Sequence, residues 1–134
     1  MTLLTPELRA ALRANAVAHH DAMQSGNAEP DPAPVVKLFN PVGPATWLAT
    51  ELHADDDTLF GLADLGFGYP ELGVFSLAEI AAVRLSFGLG IERDLTFASA
   101  APLSRWDDLA RRHGSIISVE RELRRARHPQ DAPD

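Results

Sequence analysis

Cysteine is absent from this chain of 134 residues. The absence excludes a disulfide scaffold, catalysis by a thiol and any metal site built from thiolates. Hydrophobic residues make up 46% of the chain and charged residues 23%, which is typical of one globular domain rather than of a disordered segment. Such a chain fits the cytoplasm most simply, and we expect a cytoplasmic protein.

Long apolar runs and a targeting signal are also lacking. Residues 1–7 contain neither a basic segment nor an extended apolar stretch, so they do not match a secretory signal peptide. No apolar run elsewhere has the length that a bilayer-spanning helix requires. We therefore expect no contact with a membrane.

Acidic charge is unevenly distributed along the chain, whose net charge is −7. Residues 26–94 hold eleven acidic side chains against three basic ones, so this middle segment is acidic by eight. Residues 105–127 hold seven arginines against four acids and are basic by three. The asymmetry favours a basic partner for the middle segment or an acidic partner for the tail, although charged faces commonly only keep a domain soluble.

The hydrophobic pattern predicts an α+β fold with a small antiparallel sheet, an amino-terminal helix and one or two carboxy-terminal helices. Thr5 can cap the first helix, Pro6 suits its first position, and Gly26 is a suitable stop after about Gln24. The predicted strands cover residues 35–40, 45–52, 58–65, 74–75 and 91–97.

Caps and glycines divide the carboxy-terminal half. Ser76 and Glu79 fit a capping box for a short helix, and Ser104 is the predicted cap of another helix that Gly114 ends. We expect one domain over residues 1–114 and a helical extension over residues 115–134, with a frayed end from residue 128 onward.

A hairpin is predicted around the loop 53–57. Its expected register places Leu52 opposite Thr58, Thr50 opposite Phe60, Leu48 opposite Leu62, and Trp47 opposite Ala63. In this register Gly61 lies beside the Trp47 indole, where a small residue can accommodate a large ring.

The hairpin leads into a glycine-rich stretch, residues 58–73, that predicts a strand entering a bend from Gly66 to Gly73. It does not match a dinucleotide-binding fingerprint, because Pro70 obstructs the helix that should follow. Phe67, Tyr69 and Glu71 on the bend are instead candidates for binding a partner protein.

Three carboxylates lie among apolar residues: Glu51, Asp64 and Glu71. Held near a sheet, they could act as acids or bases, or bind an ion. No nucleophile or histidine is assigned beside them, so we assign no catalytic residue and expect pairing with backbone amides or with Lys37, Arg84 or Arg93.

The sequence predicts no metal site and no cofactor. The run 19–21 (His-His-Asp) directs neighbouring side chains to different sides of a helix, whereas paired histidine ligands on a helix are four residues apart. The run 55–57 (Asp-Asp-Asp) lacks the alternating ligands, the glycine and the distal glutamate of a calcium loop.

The arginine-rich tail is a second candidate binding surface, with Arg121, Arg124 and Arg125 as its candidate residues. Aromatic residues are not interleaved there and the whole protein is acidic, so direct nucleic-acid binding is disfavoured. A salt-bridged surface helix or a helix that contacts a partner explains the pattern equally well.

Several short motifs, taken together, resemble a bacterial family known only as domain of unknown function number 2958. They are residues 3–8 (LLTPEL), 36–41 (VKLFNP), 46–47 (TW), 51–52 (EL), 59–62 (LFGL), 70–73 (PELG), 76–79 (SLAE) and 91–94 (IERD). The resemblance spans residues 1 to about 116. It implies a small cytoplasmic protein often carried on plasmids and integrative elements, and it supplies no activity or catalytic residue.

These observations lead to one main hypothesis, a non-enzymatic accessory protein of mobile DNA that acts by contacting a protein partner whose identity is unknown. One alternative is a small hydrolase or metal-assisted enzyme, which would need its three carboxylates to converge in a cleft. The other is an acidic nucleic-acid mimic that binds a DNA-processing protein, which would need its acids spread over one outer face. The sequence predicts no oligomeric state.

Overall fold

The computed structural model describes residues 2–127 and confirms the predicted α+β class. The helices are α1 (Pro6–Ser25), α2 (Leu77–Ala82), α3 (Leu103–His113) and α4 (Ile116–Arg127). The strands are β1 (Val36–Phe39), β2 (Thr46–Leu52), β3 (Thr58–Asp64), β4 (Glu71–Ser76) and β5 (Glu92–Arg93). Within the described residues, no helix has the length and apolar character needed to cross a membrane.

The five strands form one antiparallel sheet in the order β4-β3-β2-β1-β5. Alternate strand residues point to opposite faces, so each face has its own core. The first core joins α1 to the sheet through Leu12, Val36, Leu38, Leu52 and Leu59. The second joins α3 and α4 to it through Leu48, Leu62, Trp106, Ile116 and Val119.

Local signals set both ends of α1, as predicted. The Thr5 hydroxyl oxygen accepts a hydrogen bond of 3.1 Å from the Leu8 amide, and Pro6 occupies the first turn. Gly26 ends the helix in the left-handed conformation, with φ of 70°, which a glycine adopts without steric cost.

The hairpin register is confirmed at one end and wrong at the other. Leu48 pairs with Leu62 and Trp47 with Ala63, but Glu51 pairs with Phe60 because a β-bulge lies between Ala49 and Glu51. Two side chains of α1 stabilise this irregular backbone: Asn15 donates to the Thr50 carbonyl at 2.9 Å and Arg13 donates to the Leu52 carbonyl at 2.8 Å.

Gly61 is required by the backbone rather than by the Trp47 ring. A Cβ atom at position 61 would lie 1.8 Å from the Leu48 carbonyl oxygen, far inside van der Waals contact. The bulged strand therefore approaches β3 so closely that only glycine fits there.

Two predicted element boundaries are wrong. Residues 71–73 belong to β4 rather than to the bend, so the connecting loop is shorter and covers residues 65–70. The strand predicted over residues 91–97 is only Glu92–Arg93, because the Asp94 carboxylate accepts hydrogen bonds from the amide and the hydroxyl of Thr96 and turns the chain.

The cap of α3 also differs from the prediction. Ser104 lies inside the helix. The Asp31 carboxylate, in the connection between α1 and β1, accepts hydrogen bonds from the Ser104 amide (3.1 Å) and from the Ser104 hydroxyl. The Pro32 carbonyl accepts another from Leu103 at 3.0 Å. Gly114 ends α3 as predicted, with φ of 70°.

The segment after Gly114 packs against the domain. Ile116 and Val119 are fully buried in the second core, and the Glu120 carboxylate accepts a hydrogen bond of 2.7 Å from Lys37 on β1. The division into residues 1–114 and 115–134 stays a prediction, and the frayed end predicted from residue 128 lies outside the described residues.

Candidate protein-binding site

The 65–70 loop carries two large aromatic side chains that face solvent. Phe67 is 78% exposed and Tyr69 is 80% exposed. Leu65 at the start of the loop is 54% exposed. Several exposed apolar side chains in one short loop form the kind of surface that binds other molecules.

A buried carboxylate fixes the start of this loop. Asp64, the last residue of β3, is 2% exposed, and its Oδ1 atom accepts a hydrogen bond of 2.9 Å from the Gly66 amide. Its Oδ2 atom accepts one of 3.0 Å from the Ile116 amide, at the first turn of α4. Both carboxylate oxygens therefore tie the loop to the second core.

Close backbone packing holds the loop at two further points. Gly66 has φ of 94°, and a Cβ atom there would lie 2.4 Å from the Pro44 ring. Gly68 has φ of 86°, and its carbonyl oxygen would be 3.4 Å from a Cβ atom at Gly114, between α3 and α4. At Gly66 glycine provides both the backbone angle and the space, and at Gly68 it provides the backbone angle.

A groove of about 420 Å³ borders the exposed tyrosine. It is lined by Gly68, Tyr69, Pro70, Glu71, Leu72 and Arg111. Arg111, on α3, donates from Nε to the Asp107 carboxylate at 2.9 Å, whereas the exposed Glu71 forms no ion pair among residues 2–127. The groove thus places an available carboxylate beside the Tyr69 ring.

The structure does not bring the three candidate catalytic carboxylates together. Asp64 lies opposite Thr46 at one end of the hairpin, and Glu71 begins the neighbouring strand. Glu51 is at the other end, opposite Phe60 and roughly 13 Å away along the strand at about 3.3 Å per residue. The three side chains therefore share no cleft.

Glu51 instead contacts a histidine that the sequence left unassigned. His19, on the sheet-facing side of α1, places Nδ1 3.0 Å from the Glu51 carboxylate and Nε2 3.1 Å from the Glu29 carboxylate. Glu51 is 7% exposed. Because a carboxylate lies beside each ring nitrogen, the imidazole links α1, the 26–35 connection and β2. The helical spacing of His19 from Leu12 is the signal that places it on this side.

Of the two kinds of pairing expected for these carboxylates, the one with backbone amides is present at Asp64, whereas the three basic side chains have other partners. Arg84 donates to the Ala81 and Val83 carbonyls, and Arg93 donates to the Thr2 and Leu3 carbonyls. Lys37 pairs with Glu120 and Asp94 across the sheet. The basic side chains are engaged by nearby carbonyls and by carboxylates closer to them.

Most acids of the middle segment form hydrogen bonds or ion pairs with other residues of the chain, although several of them are exposed. Those with hydrogen bonds or ion pairs are Glu29, Asp31, Glu51, Asp55, Asp56, Asp57, Asp64 and Asp94. Glu71, Glu79 and Glu92 are the ones whose carboxylates have no such partner in the described part of the chain. The acidic charge therefore serves largely to order turns and connections.

Two of these carboxyls have altered pKa values. A hydrogen bond from the Thr58 hydroxyl, with others from the Thr58 and Asp57 amides, lowers the pKa of Asp55 from 3.8 to about 2. Burial acts to raise the pKa of Asp94, but hydrogen bonds from Thr96 and the nearby Lys37 ammonium outweigh it, so this pKa lies below 3.8. Both shifts stabilise the charged form.

The tail arginines form a separate surface. Arg121, Arg124 and Arg125 are exposed on α4 and form no ion pair within residues 2–127. Arg124 borders a cavity of about 450 Å³ whose apolar lining includes Phe97 and Leu123. None of the three arginines lines the groove beside Tyr69, where the basic residue is Arg111 of α3.

Comparison with known proteins places the chain in a family. A family model described as "Protein of unknown function (DUF2958)" matches residues 3–117. The chain belongs to this family. The match covers the resemblance seen in the sequence motifs and includes the whole 65–70 loop. No curated protein and no solved structure matches the chain.

Metal chemistry finds no support in the geometry of this family member. Among the described residues, no three His, Asp or Glu side chains are grouped so that they could hold a metal ion. The features that combine exposure with a fixed geometry are the aromatic rings of Phe67 and Tyr69 and the adjoining Glu71.

Proposed function

We propose that this protein is a non-enzymatic accessory protein of plasmids or other mobile DNA, that it acts in the cytoplasm, and that it binds another protein through the 65–70 loop. The single observation that carries the proposal is the exposure of Phe67 and Tyr69 on a loop that the fold holds in place. Burying two such rings on a partner would remove a large apolar area from water.

The anchoring of the loop is what favours binding over an incidental surface feature. A partner that captures a mobile loop must order it, which opposes association. Here Asp64 holds the backbone at Gly66, and the contacts of Gly66 and Gly68 with neighbouring elements restrict it further. The aromatic rings are therefore displayed from a backbone that is already ordered.

The chemistry of the loop indicates what the partner offers. A partner would bind Phe67 and Tyr69 in apolar pockets, and it would pair a basic group with the Glu71 carboxylate. Glu71 is the acid of the middle segment that lines the groove. A protein with a basic surface, as DNA-processing proteins have, meets these requirements and fits the genetic setting that the family resemblance implies.

The two alternative functions have less support. An enzyme that used Glu51, Asp64 and Glu71 would need them in one cleft, and Glu51 lies at the other end of the hairpin from Asp64 and Glu71. A nucleic-acid mimic would need an array of free acids on an outer face, and most acids of residues 26–94 are instead hydrogen-bonded or ion-paired to other residues of the chain.

Site-specific photo-cross-linking in the native host tests the proposal. The photoreactive amino acid p-benzoylphenylalanine replaces Phe67 in one strain, Tyr69 in a second and Phe87 in a third. Phe87 is the matched control because it is 94% exposed and comes after β4 and α2 in the chain, whereas the loop precedes β4, a strand roughly 20 Å long.

The proposal predicts that one host protein is cross-linked at positions 67 and 69 and is not cross-linked at position 87. The host protein, once isolated, should then bind directly to this protein without the photoreactive residue, and the binding should weaken as the salt concentration rises. Cross-linking of the same proteins at all three positions, or of none at 67 and 69, would overturn the proposal.

A further inference from the structure

The strand β4 forms a long, regular outer edge of the sheet. It spans six residues, pairs with β3 without a bulge, and has no strand on its outer side in the part of the chain that the structure describes. The other edge strand, β5, spans two residues. Proteins usually protect long edges with a bulge, a charge or a covering segment, and β4 carries a charge only at its first residue, Glu71.

The outward backbone groups of β4 can be assigned from the ladder. The backbone N–H and C=O groups of Thr58 point toward β2, because the Thr58 carbonyl accepts a hydrogen bond from the His53 amide. Those of Phe60 point the same way, because the Phe60 carbonyl accepts a hydrogen bond from the Thr50 hydroxyl. Alternate residues of β3 must then face β4. Their partners on β4 are Glu71, Gly73 and Phe75.

The N–H and C=O groups of Leu72 and Val74 therefore point away from the sheet. The same two residues expose their side chains, at 38% for Leu72 and 63% for Val74. Backbone hydrogen-bonding capacity and apolar surface coincide at one short segment. That combination suits the addition of another strand.

Gly73, between them, has no steric explanation among residues 2–127. A Cβ atom there would have no heavy atom within 4 Å, and its φ is not positive. Glycine inside a strand costs about 0.5 to 1 kcal/mol relative to alanine. A glycine that the fold itself does not require often marks the close approach of another backbone.

From these features we infer that β4 pairs with β4 of a second copy of this chain, in antiparallel orientation about a two-fold axis at Gly73. In this register Leu72 of each copy faces Val74 of the other, and each such pair exchanges both backbone hydrogen bonds. The two Gly73 residues form the closely spaced pair at the axis. The two five-stranded sheets then become one continuous sheet.

The strand is complementary to itself in charge as well as in shape. Antiparallel pairing places the two Glu71 carboxylates at opposite ends of the interface, where each faces Phe75 of the other copy. Like charges are thereby kept apart, and apolar side chains meet apolar ones. Pro70, which has no N–H, ends the ladder on the outer side. The inference shares Leu72 and Glu71 with the groove beside Tyr69, but it rests on the outward backbone groups of β4 and does not depend on the proposed function.

Sedimentation and amide hydrogen exchange of the full chain test the inference. The experiment compares the wild type with V74P and V74K from roughly 1 µM to roughly 1 mM, a range that covers weak and moderate interfaces. V74P removes an outward N–H without removing a bond to β3, and V74K places a charge on the exposed edge. V74A is the matched control, because it keeps the N–H, and circular dichroism checks that each variant is folded.

The inference predicts a wild-type dimer whose dissociation constant rises at least tenfold in V74P and V74K and less in V74A. The Leu72 and Val74 amides should become protected from exchange as the wild-type concentration rises. A wild type that stays monomeric throughout overturns the inference, as does a dimer that both variants leave intact. Protection of these amides only on addition of a different protein also overturns it, and assigns the edge to that protein. Variants of Phe67 and Tyr69 should not change sedimentation.

Discussion

The Asp64 carboxylate and the Ile116 amide form a hydrogen bond of 3.0 Å across 52 positions of the chain. The same carboxylate accepts from the Gly66 amide. One buried side chain thus joins the sheet, the aromatic loop and the first turn of α4. The display of Phe67 and Tyr69 depends on an interior contact.

Replacing Asp64 by asparagine tests this role. The asparagine side chain has one acceptor oxygen, so one of the two amides loses its partner, and D64N should lower the free energy of unfolding by about 1 to 3 kcal/mol. Urea denaturation measures the change. E71Q is the control, because Glu71 is exposed, and should stay within about 0.5 kcal/mol of wild type. Equal stability of the two variants would contradict the role given to Asp64.

The capping of α3 by Asp31 gives a second prediction. D31A removes the acceptor of both the Ser104 amide and the Ser104 hydroxyl, and should destabilise the protein by about 1 kcal/mol. S104A leaves the amide bond to Asp31 in place and should cost less. If thermal or urea unfolding shows that S104A loses more stability than D31A, the capping residue is Ser104 and not Asp31.

Asp55 in the 53–57 turn should make the stability of the protein depend on pH. The pKa of Asp55 in the folded protein, about 2, lies below its usual 3.8. This carboxylate therefore contributes stability that is present above about pH 4 and is lost as the pH falls through about 2. T58V removes the largest cause, the Thr58 hydroxyl, and should raise the pKa of Asp55.

Carboxyl resonances followed by NMR between pH 5 and pH 2 measure that pKa in both proteins. The stability of T58V should also fall less steeply over the same pH range. An unchanged Asp55 titration in T58V would show that the hydroxyl bond does not determine the shift.

The two glycines of the central pair Gly61 and Gly73 should respond differently to alanine. G61A forces a Cβ atom to 1.8 Å from the Leu48 carbonyl oxygen and should cost more than about 3 kcal/mol or prevent folding. G73A meets open space and, in dilute solution, should be neutral or stabilising by up to about 1 kcal/mol. Similar losses in both variants would contradict the close approach at the bulge.

Local signals account for the parts of the fold that the sequence predicted. Thr5, Pro6 and Gly26 act within one or two turns of α1, and the alternation of Trp47 and Leu48 is sufficient to place the sheet faces. The bulge at Thr50 was not predictable in the same way, because Asn15 stabilises it from 35 positions away. A local sequence pattern cannot predict a contact between residues so far apart in the chain.

In the candidate site, too, local features could be predicted from the sequence and long-range contacts could not. Phe67 and Tyr69 were candidates for a surface site because of their place in a glycine-rich loop, and the structure shows both exposed, which local sequence left open. The anchoring by Asp64 was missed, because its second partner, Ile116, is distant in the chain. Asp31 was missed as the cap of α3 for the same reason, since Ser104 lies 73 positions later.

The affinity of the cross-linked host protein for wild type and for the double variant F67A/Y69A tests the central claim most directly. Both side chains are exposed, so the double variant should unfold at the same temperature as wild type. We predict that its dissociation constant rises at least tenfold, as expected when aromatic anchors are removed from an interface. A dissociation constant within about twofold of wild type, with the fold intact, would contradict the claim that this loop is the binding site.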